Sequence, residues 1–279
     1  MFVVELSYFN LDQIYNSGQA PRWIQLNSSP EKSKYVIPFK DKALKIEQIR
    51  DRYDWTKFRL IMSCSEEEFF NTWFDYFDLS TDYFDLNYKI KKLGKKFKII
   101  ANRGYGVHII RQDTFEAYVL SRLTKNLGYK DAAKIMNHIA EACGIKHVQS
   151  MREAGRITWY EFPTPQMVLD NFKNLYPMGK VSVWLKNLCQ VIVNDGFDVG
   201  EHLMTTSDSD ELAKLFVLHE TDNFPLDGIR ETLIKNFGEN PEEFADWYLD
   251  DIENKGLVYM YIVHHIISKR KEEILNGFN

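Results

Sequence analysis

One carboxylate stands where it could take part in chemistry: Asp227, which closes the run Phe224-Pro225-Leu226-Asp227. The residues that follow, 228–234, predict a helix, so Asp227 would lie beside the unpaired amides of a helix start, which favour an ionised carboxylate. The segment in front of it, 203–210, offers neither a glycine turn for a phosphate nor a lysine nucleophile. From these residues alone, Asp227 is either a catalytic carboxylate or a plain helix cap.

A second candidate is a dense run of positive charge. Residues 89–98 contain six lysines, enough to neutralise several phosphates, although such runs are more often solvated helix faces. Four aromatic residues lie within or beside this run, and we expect them to be core residues rather than platforms for stacked bases; they are Tyr83, Phe84, Tyr88 and Phe97.

Other kinds of site receive little support. The pairs His264-His265 and His219-Glu220 lack the i, i+4 spacing of a helical zinc site. Gly104-Tyr105-Gly106 lacks the remainder of a phosphate or dinucleotide loop, and no Gly-x-Ser-x-Gly elbow occurs. We therefore expect neither a metal nor a cofactor.

Composition indicates an ordinary globular protein. The chain has 279 residues, 44% of them hydrophobic, which suggests one large domain or two small ones. Its formal charge of −5 gives no general attraction to polyanions, so any such contact must come from a local patch. The three cysteines, Cys64, Cys143 and Cys189, are widely spaced and predict reduced thiols. Without a leader pattern or a membrane-length apolar run, we expect a cytoplasmic monomer that does not contact membranes.

The elements that would position these residues divide the chain in two. Residues 1–63 show short strand-like segments, which predict a small antiparallel sheet, and Ser65 with three following glutamates predicts a helix start. Further helices are predicted over 85–101, 113–127, 129–143, 165–175, 179–195, 209–219, 227–237, 241–253 and 256–274. The expected fold class is α+β, with a β domain over 1–84 and a helical domain in two lobes over 85–279.

Several segments, taken in chain order, are similar to the sequence motifs of one protein family. They are Ser17-Gly18-Gln19-Ala20-Pro21-Arg22-Trp23, Tyr76-Phe77-Asp78-Leu79, Ile109-Ile110-Arg111-Gln112-Asp113-Thr114-Phe115-Glu116, Phe162-Pro163-Thr164-Pro165, Phe224-Pro225-Leu226-Asp227 and Gly256-Leu257-Val258-Tyr259-Met260-Tyr261. Together they resemble the 8-oxoguanine DNA glycosylase family of the helix-hairpin-helix superfamily. The resemblance spans nearly the whole chain.

The resemblance implies a fold and a role for particular residues. The β domain would resemble half of a TATA-binding protein, and two all-α lobes would hold DNA with a target base flipped between them. Asp227 would stabilise the positive charge that develops on the sugar and orient the attacking water. By position, Gly18, Tyr259 and Val263 would contact the base, and Lys125, Asn126 and Lys180 would contact DNA.

The chain departs from the family where the hairpin and its lysine nucleophile should stand. That position reads Leu203-Met204-Thr205-Thr206-Ser207-Asp208, and the nearest amine, Lys214, lies within a predicted helix. A lyase step is therefore not expected, and binding to duplex or single-stranded DNA should be weak. Two hypotheses remain: a monofunctional glycosylase that removes 8-oxoguanine or another lesion, or an inactive relative that binds nucleic acid or a protein partner.

Overall fold

The N-terminal part of the chain is a five-stranded antiparallel sheet. The computed structural model describes residues 1–54, 56–127, 129–151 and 154–196, together with Val199 and Tyr261. The strands are β1 (Phe2–Ser7), β2 (Ile24–Ser28), β3 (Lys32–Phe39), β4 (Lys42–Arg50) and β5 (Lys57–Met62). Their order across the sheet is β1-β5-β4-β3-β2, so β1 and β2 form the two edges. Buried and exposed residues alternate along β5, as expected for a sheet that covers a core on one face.

A short helix, α1 (Leu11–Asn16), covers the inner face of this sheet. It begins where the side chain of Asn10 accepts hydrogen bonds from the amides of Asp12 and Gln13, a typical N-cap. The amide of Leu11 donates to Oε1 of Gln48 on β4 at 2.8 Å, which fixes the helix to the sheet. Leu11 and Ile14 then contribute fully buried side chains to the core under the sheet.

Helices dominate the described residues beyond the sheet, which confirms the predicted α+β class. They are α2 (Glu66–Glu68), α3 (Phe74–Tyr76), α4 (Tyr83–Lys92), α5 (Lys95–Arg103), α6 (Thr114–Asn126), α7 (Tyr129–Cys143), α8 (Pro165–Asp170) and α9 (Lys180–Asp195). A π-helical turn, Phe69–Trp73, joins α2 to α3, and a 3-10 segment, Phe172–Met178, joins α8 to α9. The bounds of α6, α7 and α9 agree closely with the prediction, and Ser65 caps α2 as expected.

Two predicted helices were wrong in their extent. The span 85–101 is interrupted at Gly94, whose φ of +141° only glycine adopts readily, so α4 and α5 are separate helices. The span 165–175 ends as an α-helix at Asp170, and the 3-10 segment that follows contains Pro177. Proline removes an amide donor, which disfavours a continuous helix.

The expectation that all four aromatic residues near the lysines are core residues was also wrong for two of them. Tyr83 and Phe97 are buried, but Phe84 is 55% exposed and Tyr88 is 51% exposed. The buried side of α4 follows helical spacing through Tyr83, Leu86, Asn87 and Ile90. Phe84 and Tyr88 lie one turn apart on the opposite, solvent-facing side.

The helical part also contains a hairpin that the sequence patterns did not predict. Strand β6 (Lys146–Met151) pairs with β7 (Gly155–Tyr160) in antiparallel register. His147 stacks on its cross-strand partner Trp159 at 5.2 Å, and Nε1 of Trp159 donates to the carbonyl of Lys40 at 3.4 Å. The hairpin therefore reaches back to the turn between β3 and β4.

Hydrophobic side chains form two clusters. One lies under the sheet and includes Trp73 and Phe77, and the other lies among α4 to α9 and includes Ile100 and Leu185. Tyr261 is helical and fully buried in the second cluster, while the other residues of the helices predicted beyond 208 lie outside the described residues. Among the described helices, none is both long and apolar enough to cross a membrane.

Candidate functional site

The Gly18 turn is held by hydrogen bonds from both of its neighbours. Gly18 follows α1 with φ +92°, and Oγ of Ser17 donates to the carbonyl of Ile14 at 2.6 Å. The buried side chain of Gln19 donates through Nε2 to the carbonyl of His108 at 2.7 Å. Its Oε1 accepts from the amide of Ile110 at 2.9 Å. One amide side chain thus fixes the turn to a segment about ninety residues further along the chain.

A buried ion pair fixes the same stretch to α6. The guanidinium of Arg22 donates to both carboxylate oxygens of Glu116, through Nε at 2.6 Å and Nη2 at 3.1 Å. Its remaining nitrogen, Nη1, donates to the carbonyl of Tyr160 on β7 at 2.6 Å. The side chains of Arg22 and Glu116 are only 6% and 9% exposed. A planar guanidinium satisfied on three sides in this way orients the segment between α1 and β2 relative to α6 and the hairpin.

A second polar cluster surrounds Asp78, which is fully buried with φ +50°. Arg111 donates through Nη2 to Asp78 at 2.9 Å, and its amide donates to the carbonyl of Tyr76 at 2.8 Å. The hydroxyl of Tyr83 donates to the other oxygen of Asp78 at 2.7 Å. Burial, followed by the charge of Asp78, raises the pKa of Tyr83 well above its usual value, so Tyr83 remains a neutral donor.

His108 lies inside this cluster. Its ring stacks on Tyr83 with 3.7 Å between centroids, and its two nitrogens lie 3.0 Å and 2.9 Å from the carbonyls of Phe77 and Tyr8. Burial lowers the pKa of His108 to about 4, against the raising effect of these carbonyls and of Asp78. The histidine, which lies between α5 and α6, therefore contacts the residues that directly follow β1 and α3.

The segments that carry the family resemblance thus meet in space, although they are widely separated in the sequence. The Gly18 turn contacts the segment 108–110 through Gln19, Arg22 contacts α6, and Nε1 of Trp23 donates to the hydroxyl of Tyr76 at 2.8 Å. The sequence singled out these segments but assigned no role to Gln19, Arg22 or Tyr76. Their function is to position the backbone around Gly18.

Gly18 lies beside the junction between α6 and α7. A Cβ placed on Gly18 would be 3.6 Å from the ring of Tyr129, the first residue of α7. Asn137 on the same helix lies 3.4 Å from the carbonyl of Pro21. The structure therefore places Gly18 beside the start of α7; α6, whose last two residues are Lys125 and Asn126, ends just before it in the sequence. Tyr129 was missed by sequence reasoning because no local signal marks it as a neighbour of Gly18.

Other predicted site residues lie apart from this junction or outside the described residues. Lys180 is exposed at the first position of α9, a helix that packs mainly against α8 and the 3-10 segment. None of the contacts given above joins Lys180 to Gly18. Asp227, Tyr259 and Val263 lie outside the described residues, so the roles assigned to them remain predictions.

Metal-binding side chains do not cluster in the described part of the chain. No group of three or more His, Cys, Asp or Glu side chains there could hold a metal ion. All three cysteines are buried free thiols, and burial raises the pKa of each above its usual value. None of them has the depressed pKa of an activated nucleophile.

Comparison with known proteins identifies the fold. The protein named MBOgg1, solved with a low-affinity DNA ligand, superposes with a TM-score of 0.76 at 18% identity, covering 96% of each chain. The Clostridium acetobutylicum 8-oxoguanine glycosylase/lyase gives 0.73 at 20% identity, covering 95% of this chain and 96% of that one. The 3-methyladenine DNA glycosylase of Archaeoglobus fulgidus gives 0.66 at 14% identity, covering 95% and 97%. A comparison with curated protein sequences finds no match.

These similarities define the chain first as a protein with the fold of the DNA glycosylases. Residues 1–118 match the model of the 8-oxoguanine DNA glycosylase N-terminal domain, a stretch that includes Gly18, Arg22, Asp78 and Glu116. The resemblance to the 8-oxoguanine DNA glycosylase family is therefore confirmed over residues 1–118, and the fold over nearly the whole chain.

The Gly18 turn offers a direct test of the site. Gly18→Ala is expected to lower the free energy of unfolding by about 1–3 kcal/mol, because a side chain at positive φ is strained. The contact with Tyr129 is ordinary van der Waals distance and adds no clash. The matched control is Gly155→Ala at the start of β7, where Gly155 has φ +72° and no atom lies within 4 Å of the added Cβ. Urea unfolding should show similar losses of unfolding free energy in the two variants, whereas DNA affinity should fall only in Gly18→Ala. Equal DNA affinity in the two variants would show that Gly18 is not part of the site.

Proposed function

We propose that this protein is a monofunctional DNA glycosylase, which removes a damaged base and uses Asp227 to stabilise the sugar cation and orient water. The observation that carries the proposal is the convergence of the family's segments into one buried polar network around Gly18. Such a network keeps a backbone turn rigid beside the α6–α7 junction, which is where a flipped base would need fixed polar partners.

The chemistry assigned to Asp227 follows from what bond cleavage requires. When an N-glycosidic bond breaks, positive charge develops on the sugar, and an ionised carboxylate close to it lowers the barrier. The same carboxylate can accept a proton from the attacking water. No lysine occupies 203–210, so the amine route to a covalent sugar adduct and strand scission lacks its nucleophile.

Base release is the measurement that tests this proposal. Purified protein is incubated with duplex and single strands carrying 8-oxoguanine first, because a solved neighbour is a glycosylase/lyase for that base, and then with other lesions. We expect free base without strand scission, and loss of release in Asp227→Asn. The control Asp222→Asn removes the same charge five residues upstream and should keep activity. Trapping of the protein on DNA by borohydride would contradict the monofunctional route.

The alternative is an inactive relative that only binds nucleic acid or a protein partner. The same experiment separates the two, since an inactive relative releases no base from any strand. Asparagine caps a helix as well as aspartate does, so the capping role is tested separately with Asp227→Ala, which should lower the free energy of unfolding by about 0.5–2 kcal/mol if Asp227 is a helix cap.

A further inference from the structure

The exposed side of α4 and the start of α5 form one surface that combines aromatic rings and lysines. We call it the aromatic–lysine surface; it consists of Phe84, Tyr88, Lys92, Lys95 and Lys98. The first three are spaced by four residues and so lie along one side of α4. Nζ of Lys92 lies 4.3 Å from the centroid of the Tyr88 ring, a cation–π contact. Both rings are more than half exposed, so they offer flat apolar area to a partner.

Among the described residues, no acidic side chain pairs with the three lysines of this surface. Asp85 pairs with Lys89 at 2.9 Å. Within the described residues, no ion pair joins Lys92, Lys95 or Lys98 to a carboxylate. Lys91 lies near the end of α4, and burial followed by repulsion from Lys98 lowers its pKa. An anionic partner would relieve this repulsion between lysines. The protein as a whole has a net charge of −5 and would not attract an anion, so the attraction must be local to this surface.

An apolar groove continues the surface at the Phe84 end. It has a volume of about 320 Å³, and its walls include Phe2, Leu6, Tyr8 and Phe74. The Tyr8 ring meets Phe84 edge-on, with 4.8 Å between centroids. A flat aromatic group that lay on Phe84 would therefore find further ring contacts in the groove. The surface thus offers stacking at one end and positive charge at the other.

We infer that the aromatic–lysine surface binds a single-stranded segment of nucleic acid, with unpaired bases stacked on Phe84 and Tyr88 and phosphates beside Lys92, Lys95 and Lys98. Only a strand with unpaired bases satisfies both halves of the surface, because bases inside a duplex are stacked on each other and cannot lie on a protein ring. The inference goes beyond the proposed function, since it requires neither Asp227 nor a damaged base.

The test is binding of a labelled, undamaged oligothymidine of about 12 nucleotides, within the usual site size of single-strand binders, followed by fluorescence anisotropy. The triple variant Lys92→Gln, Lys95→Gln, Lys98→Gln should weaken binding at least about tenfold in low salt. It should also reduce the slope of log affinity against log salt by about 2, since each lost phosphate contact on a single strand contributes about 0.7. Phe84→Ala and Tyr88→Ala should each weaken binding at least about fivefold without changing that slope.

The matched control removes three charges from separate elements: Lys45→Gln, Lys57→Gln, Lys173→Gln. It should change affinity much less than the surface triple, and circular dichroism with thermal melting establishes that each variant is folded. Equal losses in the two triples would overturn the inference, because binding would then follow net charge alone. The inference would also be overturned if a duplex of the same sequence bound as tightly as the single strand. A third contrary result would be that polyglutamate or anionic vesicles compete effectively for the protein while unlabelled oligothymidine does not.

Discussion

Glu116→Ala is expected to lower the free energy of unfolding by about 3–5 kcal/mol, because it leaves a buried guanidinium without its carboxylate. Arg22 would retain its bond to the carbonyl of Tyr160, but two of its donors would have no acceptor. The surrounding side chains leave Arg22 only 6% exposed, so water cannot replace the lost partner without a rearrangement. Because the pair joins α6 to the Gly18 segment, the same change should also weaken DNA binding.

Urea unfolding followed by circular dichroism gives the measurement. The control is Asp131→Ala, which breaks the exposed pair with Lys134 and should cost less than about 1 kcal/mol. The double variant Arg22→Met, Glu116→Leu should recover most of the stability, because two apolar side chains of similar volume need no hydrogen-bond partners. If Glu116→Ala costs no more than Asp131→Ala, the pair does not hold these elements together.

The sequence predicted the regular elements of this fold better than the contacts between them. Helix α7 was predicted with its observed bounds, because apolar residues recur along it at helical spacing and glycine follows its end. The cap at Ser65 was visible for a similar reason, since a cap depends on residues within one turn. By contrast, the bond from Gln19 to His108 joins residues that are far apart in the chain, and no local pattern encodes it.

The predictions that were wrong for α4 and α5 also have local physical causes. The lysine-rich span looked like one helix because lysine favours helices, yet a single glycine with positive φ divides it. Phe84 and Tyr88 looked like core residues because aromatic side chains usually are, yet the buried side of α4 was already filled by residues at i, i+3, i+4 and i+7. The resemblance to a family singled out segments such as Ser17–Trp23 and Ile109–Glu116, but the side-chain contacts between them became visible only in three dimensions.

Gly104→Ala is expected to destabilise the protein through one contact, that with Tyr261. A Cβ on Gly104 would lie 2.6 Å from Cγ of Tyr261 and 2.8 Å and 2.9 Å from the two neighbouring ring carbons, far inside normal contact distance. Gly104 has φ −78°, which alanine adopts without strain, so backbone conformation does not contribute to the loss. Overpacking of a core in this way costs about 1–3 kcal/mol.

The converse change, Tyr261→Ala, should cost about 3–5 kcal/mol, because it removes a ring that is fully buried between α5 and the rest of the helical core. Tyr261→Phe is the matched control: it keeps the ring and loses only the hydrogen bond with Asn87, a loss of about 1 kcal/mol. Differential scanning calorimetry of the single variants Gly104→Ala and Tyr261→Ala and of the double variant that combines them gives the coupling between the two positions. The double variant should lose less than the sum of its parts, since the smaller side chain makes room for the added methyl group.

The contact between Gly104 and Tyr261 should also affect the proposed reaction. Tyr261 stands two residues from both Tyr259 and Val263, the residues predicted to contact the base, so Gly104→Ala should displace them together. We therefore expect Gly104→Ala to lower base release by more than its loss of stability explains, whereas Tyr261→Phe should leave base release nearly unchanged. Base release measured well below the melting temperature of each variant separates the two effects. Unchanged release in Gly104→Ala would show that the ring of Tyr261 does not position the base-contacting residues.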